Sequence, residues 1–284
     1  MKKANFIVFV CIVLIAPISL FSQHKKATSI VNYGNNPKAG KYITTRGIKM
    51  YYETYGKGEP LLMIHGNGGS ISNFKYQIAF FQKYYKVIIA DSRAQGKTID
   101  AGEVLNYEMM ADDFNALLDS LHIKSANVIG WSDGGINGLL LAIRHPEKVK
   151  KLVTTGANLI PDTSIYTPEG AAIIARWSSN IKDEKQNAST KNAEKLIHMI
   201  DVEPHIPLTD LNKISCPVFV IGGDNDIIRP SHTVQIYESI SQAYLWIVPV
   251  SGHATLQSHK AEFNMKVLDF FQKPFKKAKS DDWD

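Results

Sequence analysis

Six short runs made almost wholly of apolar residues, at 61–64, 87–90, 126–130, 152–154, 218–221 and 244–248, recur along this chain. A strand with one face in water alternates apolar and polar residues, whereas a strand covered on both faces does not. Between and after these runs lie stretches with helical patterning, at 73–83, 108–121, 136–144, 233–239 and 262–272. Strands alternating with helices imply a mostly parallel sheet with helices on both faces, because parallel neighbours need a long crossover. Two more runs, 42–45 and 48–55, are rich in β-branched and aromatic residues and flank Arg46-Gly47. That is a hairpin signal, and it brings the expected sheet to eight strands. The segment 157–213 breaks the alternation: it has no good strand run and two helical stretches, 169–181 and 191–200. It reads as a helical cap inserted into an α/β core formed by 42–156 and 214–272.

The ends of the chain read differently from this core. Lys2 and Lys3 precede an apolar run from Phe6 to Phe21 that Pro17 and Ser19 interrupt. Residues 1–22 therefore read as a secretory signal peptide, with a mature terminus near Gln23 and export to a bacterial periplasm or the medium. The alternative, a retained anchor, asks for about 18 or more apolar residues. Removal of the leader leaves Cys216 as the only cysteine, so the mature chain forms no internal disulfide and depends on its core. Residues 23–41, with Gly34, Asn35, Asn36 and Pro37, read as an extended lead-in, and 273–284 as a flexible tail. Hydrophobic content of 44% against 21% charged residues excludes a disordered chain, a collagen and a polytopic membrane protein. The formal charge of +5, two of it in the leader, gives no reason to expect nucleic acid or an anionic surface as partner.

Gly130-Trp131-Ser132-Asp133-Gly134 has the GxSxG spacing of a nucleophile elbow. The pattern alone is weak, but here a buried-strand run ends at Gly130 and a helix of small residues follows. A tight strand-to-helix turn strains the serine backbone, and the residues two before and two after it must be small for strand and helix to close. Ser132 would then stand at the carboxyl edge of the sheet above a helix N-terminus, where partial positive charge favours a developing oxyanion. A serine hydroxyl needs a base, and the base needs an orienting carboxylate. The run 217–221 leads into Gly222-Gly223-Asp224-Asn225-Asp226, and the run 244–250 into Ser251-Gly252-His253. Loops at the carboxyl ends of parallel strands converge on one edge, so His253 is the candidate base; Asp224 and Asp226 compete on spacing. The run 61–64 leads into His65-Gly66-Asn67-Gly68-Gly69, a glycine turn suited to a second oxyanion donor. His65 reads as a residue that holds this loop.

Together, HGNGG at 65–69, DSRAQG at 91–96, GWSDGG at 130–135, GGDNDIIRP at 222–230 and SGH at 251–253 make the chain resemble the α/β-hydrolase superfamily, serine-nucleophile branch, over 42–272. The resemblance implies an acyl-enzyme mechanism with Ser132, His253 and Asp226, the last as the final aspartate of a GxxD turn. It also implies oxyanion amides at Asn67 and Asp133. Ala94 departs from the glycine usual in the DxRGxG loop. GWSDGGI with HPEKVKKLVTTGAN at 145–158 narrows the likeness to the valacyclovir hydrolase, or biphenyl hydrolase-like, group. In that group the acidic residue after the serine is thought to bind a substrate ammonium, a role that falls here on Asp133; a carboxylate at a helix start is its plainer reading. The expectation is an exported hydrolase of small carboxylic esters, with a small-molecule partner, no metal and no organic cofactor. A lactonase or carbon–carbon bond hydrolase, or a binding protein that keeps the triad without turnover, are the alternatives.

Overall fold

The computed structural model describes residues 31–182 and 188–279, so the leader read at 1–22 and the last five residues lie outside the described residues. Eight strands form one sheet: β1 (Gly40–Thr45), β2 (Ile48–Tyr55), β3 (Pro60–Ile64), β4 (Lys86–Ala90), β5 (Ala126–Trp131), β6 (Val149–Thr155), β7 (Val218–Gly223) and β8 (Ala243–Val248). Their order is β1-β2-β4-β3-β5-β6-β7-β8, with β2 antiparallel to both its neighbours and the pairs from β4 to β8 parallel. The helices are α1 (Lys75–Phe81), α2 (Tyr107–Ser120), α3 (Asp133–Arg144), α4 (Pro168–Lys182), α5 (Ala188–Val202), α6 (Leu208–Leu211), α7 (Pro230–Glu238), α8 (Thr255–Ser258) and α9 (Lys260–Gln272). Among the described residues no helix is long and apolar enough to cross a membrane.

Successive residues of a buried strand face opposite layers, and β3 shows it directly. Leu62 and Ile64 join the core with Phe114, Leu117, Leu139 and Ile236, under α2, α3 and α7. Leu61 and Met63 join Phe74, Ile78, Phe81, Phe263 and Val267, under α1 and α9. The β1–β2 turn has Arg46 at φ 45° and Gly47 at φ 79°, as a two-residue hairpin loop requires to follow the strand twist. From β3 the chain passes to β4 on one side and then to β5 on the other. That reversal opens a crevice at the carboxyl ends of β3 and β5, where loops from both strands meet.

Two features differ from the sequence reading. Residues 32–39 are two turns and not an extended lead-in, with Asn35 N–H donating to Asn32 O and Gly40 N–H to Asn36 O. The cause is Glu53 of β2, fully buried, whose carboxylate accepts from the backbone of Gly34 (2.8 Å) and Asn36 (3.0 Å) and from the hydroxyls of Tyr51 and Tyr55 (both 2.7 Å). The tail is anchored as far as Lys276: Tyr244 Oη bonds its backbone N–H and carbonyl, and the Tyr244 ring lies 4.8 Å from that of Phe275. Finally, Ala94, which departs from the usual glycine, still takes the backbone conformation that favours glycine. It holds φ 64°, a left-handed conformation, inside the turn that buries Arg93 against Asp113 and Asp100.

Candidate active site

The elbow forms because four glycines remove atoms that would collide. A Cβ on Gly130 would lie 2.0 Å from the Gly134 carbonyl oxygen, and one on Gly134 would lie 2.0 Å from that of Ile64. With those contacts open, β5 turns into α3 through Ser132 at φ 56°, ψ −121°, a strained conformation for a residue with a side chain. Gly66 brings the loop after β3 alongside, its Cβ position 3.0 Å from Ser132 Cβ. Gly156, at φ 64° beyond β6, leaves room for His253, whose Cε1 would sit 2.8 Å from an added Cβ.

Three of the candidate residues meet in this crevice. His253 Nε2 lies 2.9 Å from Ser132 Oγ, and His253 Nδ1 lies 2.6 Å from Asp226 Oδ1. Asp226 is 2% exposed, and its Oδ1 also accepts from Ile228 N–H at 3.1 Å. The Trp131 indole donates to the His253 carbonyl at 2.9 Å and steadies the loop from behind. Asp224 turns away: its carboxylate accepts from Val250 N–H (2.9 Å) and Ser251 N–H (3.0 Å) and so closes the turn that carries His253. The backbone N–H groups of Ser251 and Val250, donating to it, hold its pKa below the usual range. The choice that spacing left open between the two aspartates is thus a matter of loop geometry. His65 is fully buried, with Nδ1–H donating to Gly66 O (2.8 Å) and Nε2 accepting from Ser92 N–H (3.0 Å). Burial lowers its pKa, and the neutral ring pins the loop to the β4 turn.

Asp133 and Asn67 meet as side chains. Asn67 Nδ2 donates to Asp133 Oδ2 at 2.8 Å, and the Tyr107 side chain lines the same cavity as that carboxylate. Burial raises the Asp133 pKa to about 6, against the opposing pull of Asn67, Tyr107 and the His253 ring. A cavity of about 20 Å³ lies in front of Ser132, walled on one side by Tyr107, Asn158 and Tyr166 and on the other by Ile174, Trp177, Ile200 and Glu203. Sequence reading missed these walls. Those from α4 and α5 carry no signal beyond ordinary amphipathic patterning, while Gly156 was visible as a glycine ending a strand run.

Comparison with known proteins agrees with this architecture. The family model described as the alpha/beta hydrolase fold matches residues 59–176. A meta-cleavage product hydrolase from Pseudomonas fluorescens superposes with a TM-score of 0.72, covering 84% of this chain and 99% of that one at 23% identity. The chain has the α/β-hydrolase fold. Among relatives by sequence, the chain is 26% identical over 260 residues to the serine hydrolase BPHL of Homo sapiens, covering 84% of this chain and 88% of that protein. It is 28% identical over 262 residues to 3-oxoadipate enol-lactonase 2 of Acinetobacter baylyi, covering 79% of this chain and 94% of that protein. The resemblance to the biphenyl hydrolase-like group, read from the elbow and the segment after α3, holds.

Proposed function

We propose that the protein is an exported serine hydrolase that cleaves small carboxylic esters through an acyl-enzyme. The observation that carries this reading is the unbroken contact from Asp226 Oδ1 through His253 to Ser132 Oγ, with the serine in a strained left-handed backbone. His253 Nε2 takes the Ser132 proton as Oγ attacks the ester carbonyl, and Asp226 fixes the imidazole tautomer and stabilises the imidazolium. Backbone amides of Asn67 and Asp133 receive the oxyanion. His253 then protonates the departing alkoxide, the ester C–O bond breaks, and water repeats the sequence on the acyl-serine. A fluorophosphonate probe and a short p-nitrophenyl ester test it together. Labelling and turnover, both lost in Ser132→Ala, are expected; labelling without turnover would mean a binding protein. Export rests on the lysine pair and short apolar run, and a mature terminus near Gln23 is its test.

A narrower reading is favoured by one observation. Asp133 lines the cavity beside Ser132, and among the described residues no lysine or arginine lines that cavity with it. A carboxylate so placed favours an α-ammonium on the acyl group, which points to amino-acid esters. The measurement is kcat/KM for an amino-acid ester against its des-amino analogue, in wild type and Asp133→Asn. A charge-assisted contact there contributes about 1.5 to 3 kcal/mol, roughly ten- to a hundredfold in that ratio. An unchanged ratio would leave Asp133 a structural residue and return the reading to esters in general, or to the lactone and carbon–carbon substrates that the relatives' names suggest.

A further inference from the structure

We propose that the open groove between α4 and α5 is the outer compartment of the substrate site, and that Ile174 sets the size of the group that passes between it and Ser132. The inference rests on the ester-hydrolase reading above. The cavity in front of Ser132, about 20 Å³, has room for one water molecule and for no carboxylic ester. Any substrate whose carbonyl reaches Ser132 must therefore extend beyond that cavity. Immediately outside lies a groove of about 590 Å³, within the range of sites that hold small molecules. Tyr166, Ile174 and Ile200 line both spaces. The two compartments are thus separated by a wall one side chain thick, and the reacting bond and the rest of the substrate lie on opposite sides of it.

The three wall residues are not held alike. Tyr166 is buried, and its backbone is bridged to that of Ile228. Ile200 is buried on α5, a helix fastened to the core by Leu196 and Met199 and by Lys195. The Lys195 ammonium donates to Asp100 Oδ2 at 2.9 Å and to the Gly102 carbonyl at 2.7 Å. Ile174 is half-buried on α4, packed against the small cluster of Ile165, Tyr166 and Ile228 and outside the two large core clusters. It is the part of the wall that yields with least disruption. The groove beyond it is lined by Ala171, Ala175 and Ile200 together with Ser178 and Ser179, and among the described residues its one charged lining residue is Asp201. Its occupant is the larger portion of the ester, uncharged; an anionic group would meet the like charge of Asp201.

The test uses the whole protein and two series of esters read by pH-stat: acetates of increasingly bulky alcohols, and ethyl esters of increasingly long acids. Within each series the readout is the ratio of kcat/KM for the largest member to that for ethyl acetate. Ala175→Trp, at an exposed position, places an indole in the groove and should lower the ratio at least about tenfold in one series. Ile174→Ala removes part of the wall and should raise it about three- to tenfold in the same series, the scale of a methylene or two in an apolar pocket. Ratios that stay at the wild-type value in both variants and both series, with ethyl acetate still turned over, would overturn the assignment and leave the ester-hydrolase reading standing. A wild-type protein that turns over no ester in either series would overturn both.

Discussion

Burial of Asp133 makes a prediction about stability that is separate from catalysis. Its carboxyl has a pKa of about 6 in the folded chain against an ordinary 3.8, and desolvation is the principal cause. A raised acid pKa means that the folded state binds its proton more tightly than the unfolded state does. This group therefore adds stability that is fully present below pH 4 and is lost as pH rises through about 6. Two pH units at about 1.4 kcal/mol each give about 3 kcal/mol between those limits. Asp133→Asn removes the titration while keeping an oxygen for Asn67 Nδ2. Urea unfolding followed by tryptophan fluorescence, in both proteins between pH 4 and 7.5, isolates the effect as a difference of differences. The stability of Asp133→Asn relative to wild type should climb by about 3 kcal/mol from pH 4 to 7.5, with its steepest rise between pH 4 and 6. A flat difference would show that the carboxylate is well solvated in the folded protein, and the argument from burial would fail.

Asp226→Asn should lower kcat/KM by about 10⁴-fold because the His253 tautomer loses its acceptor, whereas Asp224→Asn, which loosens a turn, should cost far less; equal losses in steady-state kinetics would refute the division of labour between them. Ala94→Gly should raise the midpoint of unfolding, stabilising the fold by about 1 kcal/mol, because glycine adopts φ 64° without a Cβ penalty. Gly130→Ala should leave little soluble folded protein, since its methyl would lie 2.0 Å from a backbone oxygen that belongs to the elbow itself; normal yield and an unchanged melting curve would contradict it.

Much of the fold was legible because burial on both faces writes itself into the sequence as runs without alternation. The runs ending at Gly130, Ile221 and Val248 carry Ser132, Asp226 and His253 on their exits, so topology alone brings those three to one edge. The choice between Asp224 and Asp226 was not legible from spacing, since both follow the same strand and differ only in which way a tight turn points them. The cavity walls were not legible either. Ile174, Trp177 and Ile200 sit on helices whose patterning is that of any surface helix, with Glu203 just past the end of α5, and only their assembly beside Ser132 makes them a wall. Glu53 misled the reading of the N-terminal stretch in the same way. An acidic residue in the middle of a strand gives no hint that two backbone amides from residues 34–36 will close on it.

That carboxylate also fixes how short the chain can be made. A polypeptide begun at Tyr42, where the first strand run starts, would contain all eight strand runs and every residue of the crevice. It would nonetheless expose one side of Glu53 to the loss of half its donors, keeping only the two tyrosine hydroxyls. A buried carboxyl group left without hydrogen-bond partners costs about 1 to 3 kcal/mol. The smallest autonomous folding unit accordingly begins at or before Gly34, several residues ahead of the first strand.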